Sequence, residues 1–106
     1  MLRDLLLGFV KIHILYHAGQ GPVYGAWLNE ELTRHGYNLG PGTLYPTLHG
    51  LERAGYLTSE RRTVRGRVRK YYTLTPAGRA ALDRTREKAL ELVQEITAAQ
   101  EQEASP

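Results

Sequence analysis

The sequence predicts an α+β fold that is mainly helical and carries one small β-hairpin. Three observations predict it: segments with apolar residues three and four positions apart, a pair of alternating segments around a central glycine, and prolines at helix starts. With 106 residues, the chain has room for one domain. Its hydrophobic fraction of 42% and charged fraction of 24% are those of an ordinary globular protein, so we do not expect general disorder.

The first predicted element is a helix over residues 2–18. Leu5 and Phe9 belong to one of its apolar faces, and Val10 and Ile14 belong to a second. A helix that is apolar on two sides must be covered on two sides. We therefore expect one face to pack on the core of the domain and the other to meet a second subunit. A membrane span is not expected, because it needs roughly 20 apolar residues in succession.

A second helix is predicted after the turn at residues 19–22. It runs to about His35, and Tyr24, Leu28 and Leu32 form its buried side. A short polar connection then leads to a third helix. Two helices joined in this way make a helix-turn-helix, whose second helix enters the major groove of DNA.

The third helix is the one that we expect to recognise DNA. It is predicted to begin with Pro41 at its first position, after Gly40, and to end before Gly55. Its leucines recur at helical spacing and form the buried side. The residues predicted to point away from that side are Thr43, Tyr45, Thr47, His49 and Arg53. Its exposed front is therefore uncharged and rich in hydrogen-bonding groups.

A hairpin follows, with strands predicted at residues 57–64 and 67–74 around the turn Arg65-Gly66. The inward-facing residues of its second strand are predicted to be Val68, Tyr72 and Leu74. Six of the 14 basic residues lie within the ten positions 61–70, and no acid lies among them. This local excess of positive charge indicates a polyanionic partner.

The last helix is predicted to begin at Pro76, with Thr75 as its cap. Its small and apolar residues form a seam of alternating three- and four-residue spacing, namely Leu82, Thr85, Ala89, Leu92, Ile96 and Ala99. We expect this seam to pack against the first helix and against its mate across a two-fold axis. The predicted organisation is a DNA-binding region at 1–75, a dimerisation helix of the same domain at 76–99 and a flexible polar tail at 100–106.

Three motifs in register resemble those of PadR-type transcriptional regulators, which are bacterial winged-helix repressors. They are Pro-Gly-Thr-Leu-Tyr-Pro at 41–46, Val-Tyr-Gly at 23–25 and Arg-Lys-Tyr-Tyr-Thr-Leu-Thr at 69–75. The resemblance covers about residues 5–99. It implies a winged helix-turn-helix whose wing is the hairpin, a homodimer, and repression relieved by a small molecule or another signal.

The exposed front of the third helix and the basic hairpin together give the predicted DNA-binding residues. These are Tyr24, Gly42, Thr43, Tyr45, Pro46, His49, Arg65, Arg67, Arg69, Lys70 and Tyr71. Residues on the helix are expected to read base edges, and the basic residues are expected to hold phosphates. For Tyr24 and Tyr71, packing within the protein is an equal alternative to phosphate contact. The predicted dimerisation residues are Leu5, Phe9, Leu82, Ala89, Leu92 and Ile96.

His13 and His17 lie one helical turn apart, at the spacing of two metal ligands on one helix. The chain has no cysteine, and no third ligand lies nearby in the sequence. We therefore predict that these histidines fill polar gaps or a dimer face, with no metal and no cofactor. A metal-responsive regulator, in which both meet their two-fold mates, is the alternative. If a small effector binds, we expect it among Phe9, Tyr16 and the seam of the last helix.

Catalysis is not expected from this sequence. The only serines, Ser59 and Ser105, are not part of a Gly-x-Ser-x-Gly motif, and there is no phosphate-binding loop or acid/base pair. The absence of cysteine fits a cytoplasmic protein. A winged helix that binds another protein instead of DNA is the alternative function. The cluster of arginines favours double-stranded DNA.

Overall fold

The computed structural model describes residues 1–104 as four helices and three strands. In chain order they are α1 (Leu2–Gln20), β1 (Val23–Tyr24), α2 (Gly25–Arg34), α3 (Pro41–Arg53), β2 (Leu57–Val64), β3 (Arg67–Leu74) and α4 (Pro76–Ala104). The predicted α+β class, the helix-turn-helix and both strands of the hairpin are confirmed.

Glycines end both helices of the helix-turn-helix. Gly36 (φ +87°) and Gly55 (φ +84°) adopt the left-handed conformation just past the ends of α2 and α3. In each case the next residue donates its backbone N–H to the carbonyl five positions back, at 2.9 Å from Tyr37 and 3.0 Å from Tyr56. This pattern is the Schellman motif, which satisfies the last carbonyls of a helix. The predicted ends near His35 and before Gly55 are confirmed.

The sheet has three antiparallel strands in the order β1-β3-β2, so it is larger than the predicted hairpin. In β1, Val23 pairs with Tyr72 and Tyr24 with Tyr71. The prediction that Tyr24 lies on the buried side of the second helix was wrong. Tyr24 has an extended backbone (φ −120°, ψ 161°) and lies just before α2. Its backbone pairs with the edge of β3, whose hydrogen-bonding groups would otherwise be left open.

The wing hairpin turns at Arg65 (φ +53°) and Gly66 (φ +77°). Positive φ at both central residues is the signature of a type I′ turn, whose twist matches that of the two strands. Tyr72 is 1% exposed, as predicted, but Val68 is 67% exposed. The inward prediction for Val68 was wrong because the core does not extend beneath the outer half of the hairpin.

The core is formed by residues from every helix and from the strands beside them. Leu28 and Leu32 of α2 are fully buried, as predicted. Thr47 of α3 is also buried, which corrects its predicted outward position. Its hydroxyl donates to the carbonyl of Thr43 at 2.7 Å, so the polar group is satisfied inside the helix.

Helix α4 is long and extends away from the core. It continues through Ala104, although a flexible tail was predicted from residue 100. No Gly or Pro interrupts residues 79–104, and the Gln, Glu and Ala residues at 100–104 favour helix. The last two residues of the predicted tail, 105–106, lie outside the described residues. Side chains 91–103 are all exposed, so nothing in the protomer covers this half of the helix. Across the described chain, no helix combines the length and apolar character that crossing a membrane requires.

Candidate nucleic-acid interface

A groove of about 310 Å³ lies between α3 and strand β3 of the wing. It is lined by Tyr24, Gly25, Ala26, Tyr45, His49, Arg67, Val68, Arg69, Lys70 and Tyr72. Six of these were predicted to contact DNA. The fold therefore brings residues from the third helix and the wing, which lie some 20 positions apart in the sequence, around one surface.

The front of α3 presents the other predicted helix residues. Gly42 and Pro46 are exposed and Thr43 is half-buried. The Thr43 hydroxyl accepts a hydrogen bond from the guanidinium of Arg3, which lies on α1. Arg3 was not predicted, because it is 40 positions away in the sequence and no local pattern links it to α3. It adds a positive charge at the start of the helix that faces the groove.

Tyr45 lies across the start of α2. A Cβ atom built on Gly25 would fall 2.8 Å from the Tyr45 hydroxyl oxygen, so the glycine allows the ring to lie there. The Tyr45 side chain is nevertheless 42% exposed. The ring therefore contacts α2, and one of its edges stays exposed towards the groove.

The base of the wing is built on an aromatic pair. The rings of Tyr24 and Tyr71 meet edge to face with their centroids 5.4 Å apart. The guanidinium carbon of Arg69 is 4.2 Å from the Tyr24 ring centroid, and that of Arg62 is 5.2 Å from the Tyr71 centroid. Such contacts hold an arginine in place without neutralising its charge. Both tyrosines thus have packing contacts, and phosphate contact by their hydroxyls stays a prediction.

Lys70 differs from the arginines around it. Its Nζ atom is 3.5 Å from Oε1 of Glu52, a residue of α3. The other carboxylate oxygen of Glu52 accepts a hydrogen bond from the Ser59 hydroxyl at 2.5 Å. The Ser59 hydrogen bond, with a smaller contribution from Lys70, lowers the pKa of Glu52. Lys70 therefore joins the wing to α3, and its charge is partly balanced.

The arginines beside the turn of the wing at residues 65–66 keep their positive charge. Further from this turn, Arg62 pairs with Glu60. Arg65 and Arg67 are exposed, and neither forms an ion pair with any acid in residues 1–104. Cations that are exposed and unpaired in the free protein are available to phosphates without first breaking an internal bond.

The histidines gather where α1 passes the end of α2. The nitrogen atoms that His13, His17 and His35 offer as ligands all lie within 4.8 Å of one another. No third candidate ligand lies near His13 and His17 in the sequence, but the turn after α2 places His35 beside them in the fold. Burial, followed by the neighbouring His35 and His17, lowers the pKa of His13, and burial also lowers the pKa of His17.

A second groove, of about 780 Å³, runs between α1 and α4. Phe9 and Tyr16, the predicted effector contacts, line it together with the predicted dimer residues Leu82 and Ala89. Leu82 is only 8% exposed and belongs to the core of its own protomer, so it has little surface to offer a partner. The remaining predicted dimer residues are exposed, namely Leu5 (62%), Leu92 (55%) and Ile96 (50%).

The proteins that resemble this chain agree with the geometry described above. The sequence profile of the PadR-like family of transcriptional regulators matches residues 14–84, which include α2, α3 and the wing. The chain belongs to the PadR-like family. It is 52% identical over 99 residues to the transcriptional regulator Rv3488 of Mycobacterium tuberculosis, covering 93% of this chain and 92% of that protein.

Solved structures of PadR-like regulators share the fold. A PadR family regulator from Eggerthella lenta superposes with a TM-score of 0.81 at 30% identity, over 95% of this chain and 89% of that one. A PadR-like regulator from Bacillus cereus gives a TM-score of 0.83 at 26% identity, over 91% and 95% of the two chains. This PadR-like protein is therefore a transcriptional regulator with a winged-helix fold, and not an enzyme.

Proposed function

We propose that this protein is a homodimeric repressor that binds a pseudo-palindromic DNA operator and leaves it when an effector binds. The observation that carries the proposal is the groove between α3 and the wing. It combines hydrogen-bonding side chains on a helix with Arg67 and Arg69 on a hairpin, neither of which pairs with an acid in residues 1–104. The proposed place of action is the cytoplasm, where such a regulator would meet its operator.

Sequence choice is assigned to α3. Gly42 permits the backbone to approach the DNA closely, and Thr43, Tyr45 and His49 offer donors and acceptors to base edges. Pro46 is exposed and provides a flat apolar contact. The Arg3 guanidinium, held by Thr43, would reach a phosphate beside the same base pairs.

Affinity is assigned to the wing. Arg65, Arg67 and Arg69 lie on one hairpin, and Arg69 is held in place by the ring of Tyr24. These three are the proposed phosphate contacts, and an arginine at a hairpin tip also fits the minor groove. Lys70 is left out of this set because Glu52 already partners it. Lys70, which the sequence predicted to hold a phosphate, is therefore proposed only to link the wing to α3.

The dimer is assigned to α1 and α4. Large apolar side chains on these two helices are left at least 38% exposed by the protomer, namely Leu2, Leu5, Leu6, Phe9, Tyr16, Leu90, Leu92, Val93 and Ile96. Exposed apolar surface of this extent on a small domain indicates a protein interface. A two-fold axis along these helices would present two copies of α3 to successive major grooves, about one helical turn of DNA apart.

The test is a fluorescence-anisotropy titration of the operator region upstream of the protein's own gene, against a scrambled duplex, over a series of salt concentrations. Arg67→Ala/Arg69→Ala removes two proposed phosphate contacts. It should weaken binding to both duplexes and flatten the slope of log K against log salt by about 1.8 per subunit.

The matched control is Arg84→Ala/Lys88→Ala, which removes two positive charges from exposed positions of α4. It should keep the wild-type slope. An equal slope change in both double variants would show that only net charge matters, which would refute the assignment of the wing. Equal, weak binding of the wild type to both duplexes would favour a protein-binding module.

A further inference from the structure

We propose that His13, His17 and His35 form a binding site for one divalent transition-metal ion per protomer, of the zinc, cobalt or nickel class. The site is separate from the DNA-binding groove and lies where α1 meets the end of α2. The proposal rests on the positions of three imidazoles and of one carboxylate.

The three histidines already lie close to the geometry that a metal requires. Their ligand nitrogens are all within 4.8 Å of one another. In a tetrahedral site with metal–nitrogen bonds of about 2.0 to 2.1 Å, two ligand nitrogens are roughly 3.4 Å apart. The centroids of the His13 and His35 rings are 4.8 Å apart with their planes at 37°, so binding an ion would require these side chains to rotate towards each other.

Two elements hold the ligands in place. His13 and His17 lie one turn apart on α1 and therefore share one face of that helix. His35 is fixed by the Schellman motif at the end of α2, where its own N–H donates to the carbonyls of Glu31 and Leu32. A site assembled from two rigid helix segments needs little ordering when the ion binds.

A carboxylate completes the surroundings. Oε1 of Glu31 is 3.3 Å from Nε2 of His35 and 3.8 Å from Nε2 of His17, and the Glu31 side chain is only 13% exposed. A carboxylate that accepts from a metal-binding imidazole orients the ring and increases its basicity. The other oxygen of Glu31 is 3.1 Å from Nη1 of Arg34, so this carboxylate balances the charge of that arginine and part of the charge that a divalent ion would bring.

The three imidazole nitrogens indicate which class of ion the site would bind. Imidazole nitrogen suits zinc, cobalt, nickel and copper(II), whereas magnesium and calcium prefer oxygen ligands. Three protein ligands leave the fourth position open, as in sites that exchange ligands, and unlike closed structural sites with four ligands. The fourth ligand would be water, since the cluster lies beside the open groove between α1 and α4.

The test uses the sole tryptophan of the chain as a reporter. The ring of Trp27 is 5.3 Å from that of His17, edge to face, so an ion held by His17 should change its emission. The full-length protein, stripped with a chelator, is titrated with Zn²⁺ and Co²⁺, and with Mg²⁺ for comparison. We expect saturation at one ion per protomer, with visible Co²⁺ absorption of the tetrahedral type, and no response to Mg²⁺.

Variants identify the ligands. His35→Gln changes a half-exposed residue at a helix end, so the protein should still fold, and its affinity for Zn²⁺ should fall at least 10-fold. Glu31→Gln should reduce the affinity by about 10- to 100-fold. His49→Gln removes the one histidine outside the cluster and should keep the wild-type affinity for the metal. Unchanged affinity in His35→Gln, or one ion per two protomers, would overturn the site.

If the protein binds DNA as proposed, the ion would also connect metal binding to DNA binding. It would join α1, a proposed dimer helix, to α2 of the helix-turn-helix, so we expect Zn²⁺ to change operator affinity at least 3-fold in the wild type and not in His35→Gln. The two failures are distinguishable, because Trp27 emission reports the metal without DNA and anisotropy reports DNA without metal. Tight metal binding with unchanged operator affinity would refute only the coupling.

Discussion

Replacing Gly78 with alanine should destabilise the protein, although Gly78 lies in a helix where alanine is normally preferred. A Cβ atom at this position would lie 2.1 Å from the carbonyl oxygen of Tyr56 and 2.6 Å from Cδ1 of Leu74. Real Cβ contacts are not shorter than 3.0 Å, so α4 would have to move away from the segment that follows α3. The obstacle is backbone, and it cannot be relieved by a side-chain rotation.

That movement would break the hydrogen bonds at the junction. Thr75 donates its N–H to the Tyr56 carbonyl at 3.0 Å and its hydroxyl to the Gly55 carbonyl at 2.5 Å. Overpacking costs about 1 to 3 kcal/mol, and each lost hydrogen bond costs about 1 kcal/mol. The helix propensity of alanine returns at most about 1 kcal/mol. The expected net loss is therefore about 2 to 4 kcal/mol.

The assay is thermal unfolding followed by circular dichroism, at one fixed protein concentration because a dimer's melting temperature depends on it. Gly78→Ala should lower Tm by roughly 10 to 25 °C. The control is Gly50→Ala in α3, where an added Cβ meets nothing within 4 Å, and it should raise stability by about 0.5 to 1 kcal/mol. If both variants gain stability alike, the contact between α4 and the end of α3 is not rigid, and the reasoning fails.

Two further predictions concern the dimer and pH. Ile96→Asp should raise the dimer dissociation constant at least about 100-fold in sedimentation velocity, because two apolar contacts, one from each subunit, are lost. Glu95→Gln, a change at the exposed neighbouring residue, should leave the dissociation constant unchanged. A dimer that survives Ile96→Asp would contradict the assigned interface. Glu52→Gln should be less stable than the wild type in urea at pH 7. The pKa of Glu52 is lower in the folded than in the unfolded protein, so ionised Glu52 stabilises the fold wherever the pH is above the unfolded pKa. That difference should shrink as the pH falls below 4.5, the ordinary pKa of this group, and vanish once the pH is below the lowered pKa of the folded protein; a difference independent of pH would contradict the prediction.

Most element boundaries could be predicted because they depend on local chemistry. Pro41 and Pro76 begin helices at the position where a missing N–H costs nothing, and Gly55 ends α3 by adopting positive φ. The hairpin strands follow from alternation around Arg65-Gly66. Each of these signals lies within a few residues of the feature that it specifies.

The features that could not be predicted depend on contacts between distant residues. Strand β1 has only two residues, and it exists because Val23 finds Tyr72 nearly fifty positions later. Arg3 reaches Thr43, and Glu52 reaches Lys70, by the packing of separate elements. His35 joins His13 and His17 for the same reason. Composition and periodicity describe one element at a time and do not report which elements meet.

Helix α1 is the element through which the proposed functions would communicate. It packs against α2, β3 and α4, and so touches the helix-turn-helix, the wing and the proposed dimer helix. Its residues also supply two of the three clustered histidines and one wall of the groove beside α4. An ion in the cluster or a molecule in the groove would therefore act on the same helix. In the proposed dimer, operator binding would depend on the spacing of two copies of α3, so a small rotation of α1 would change the affinity for DNA.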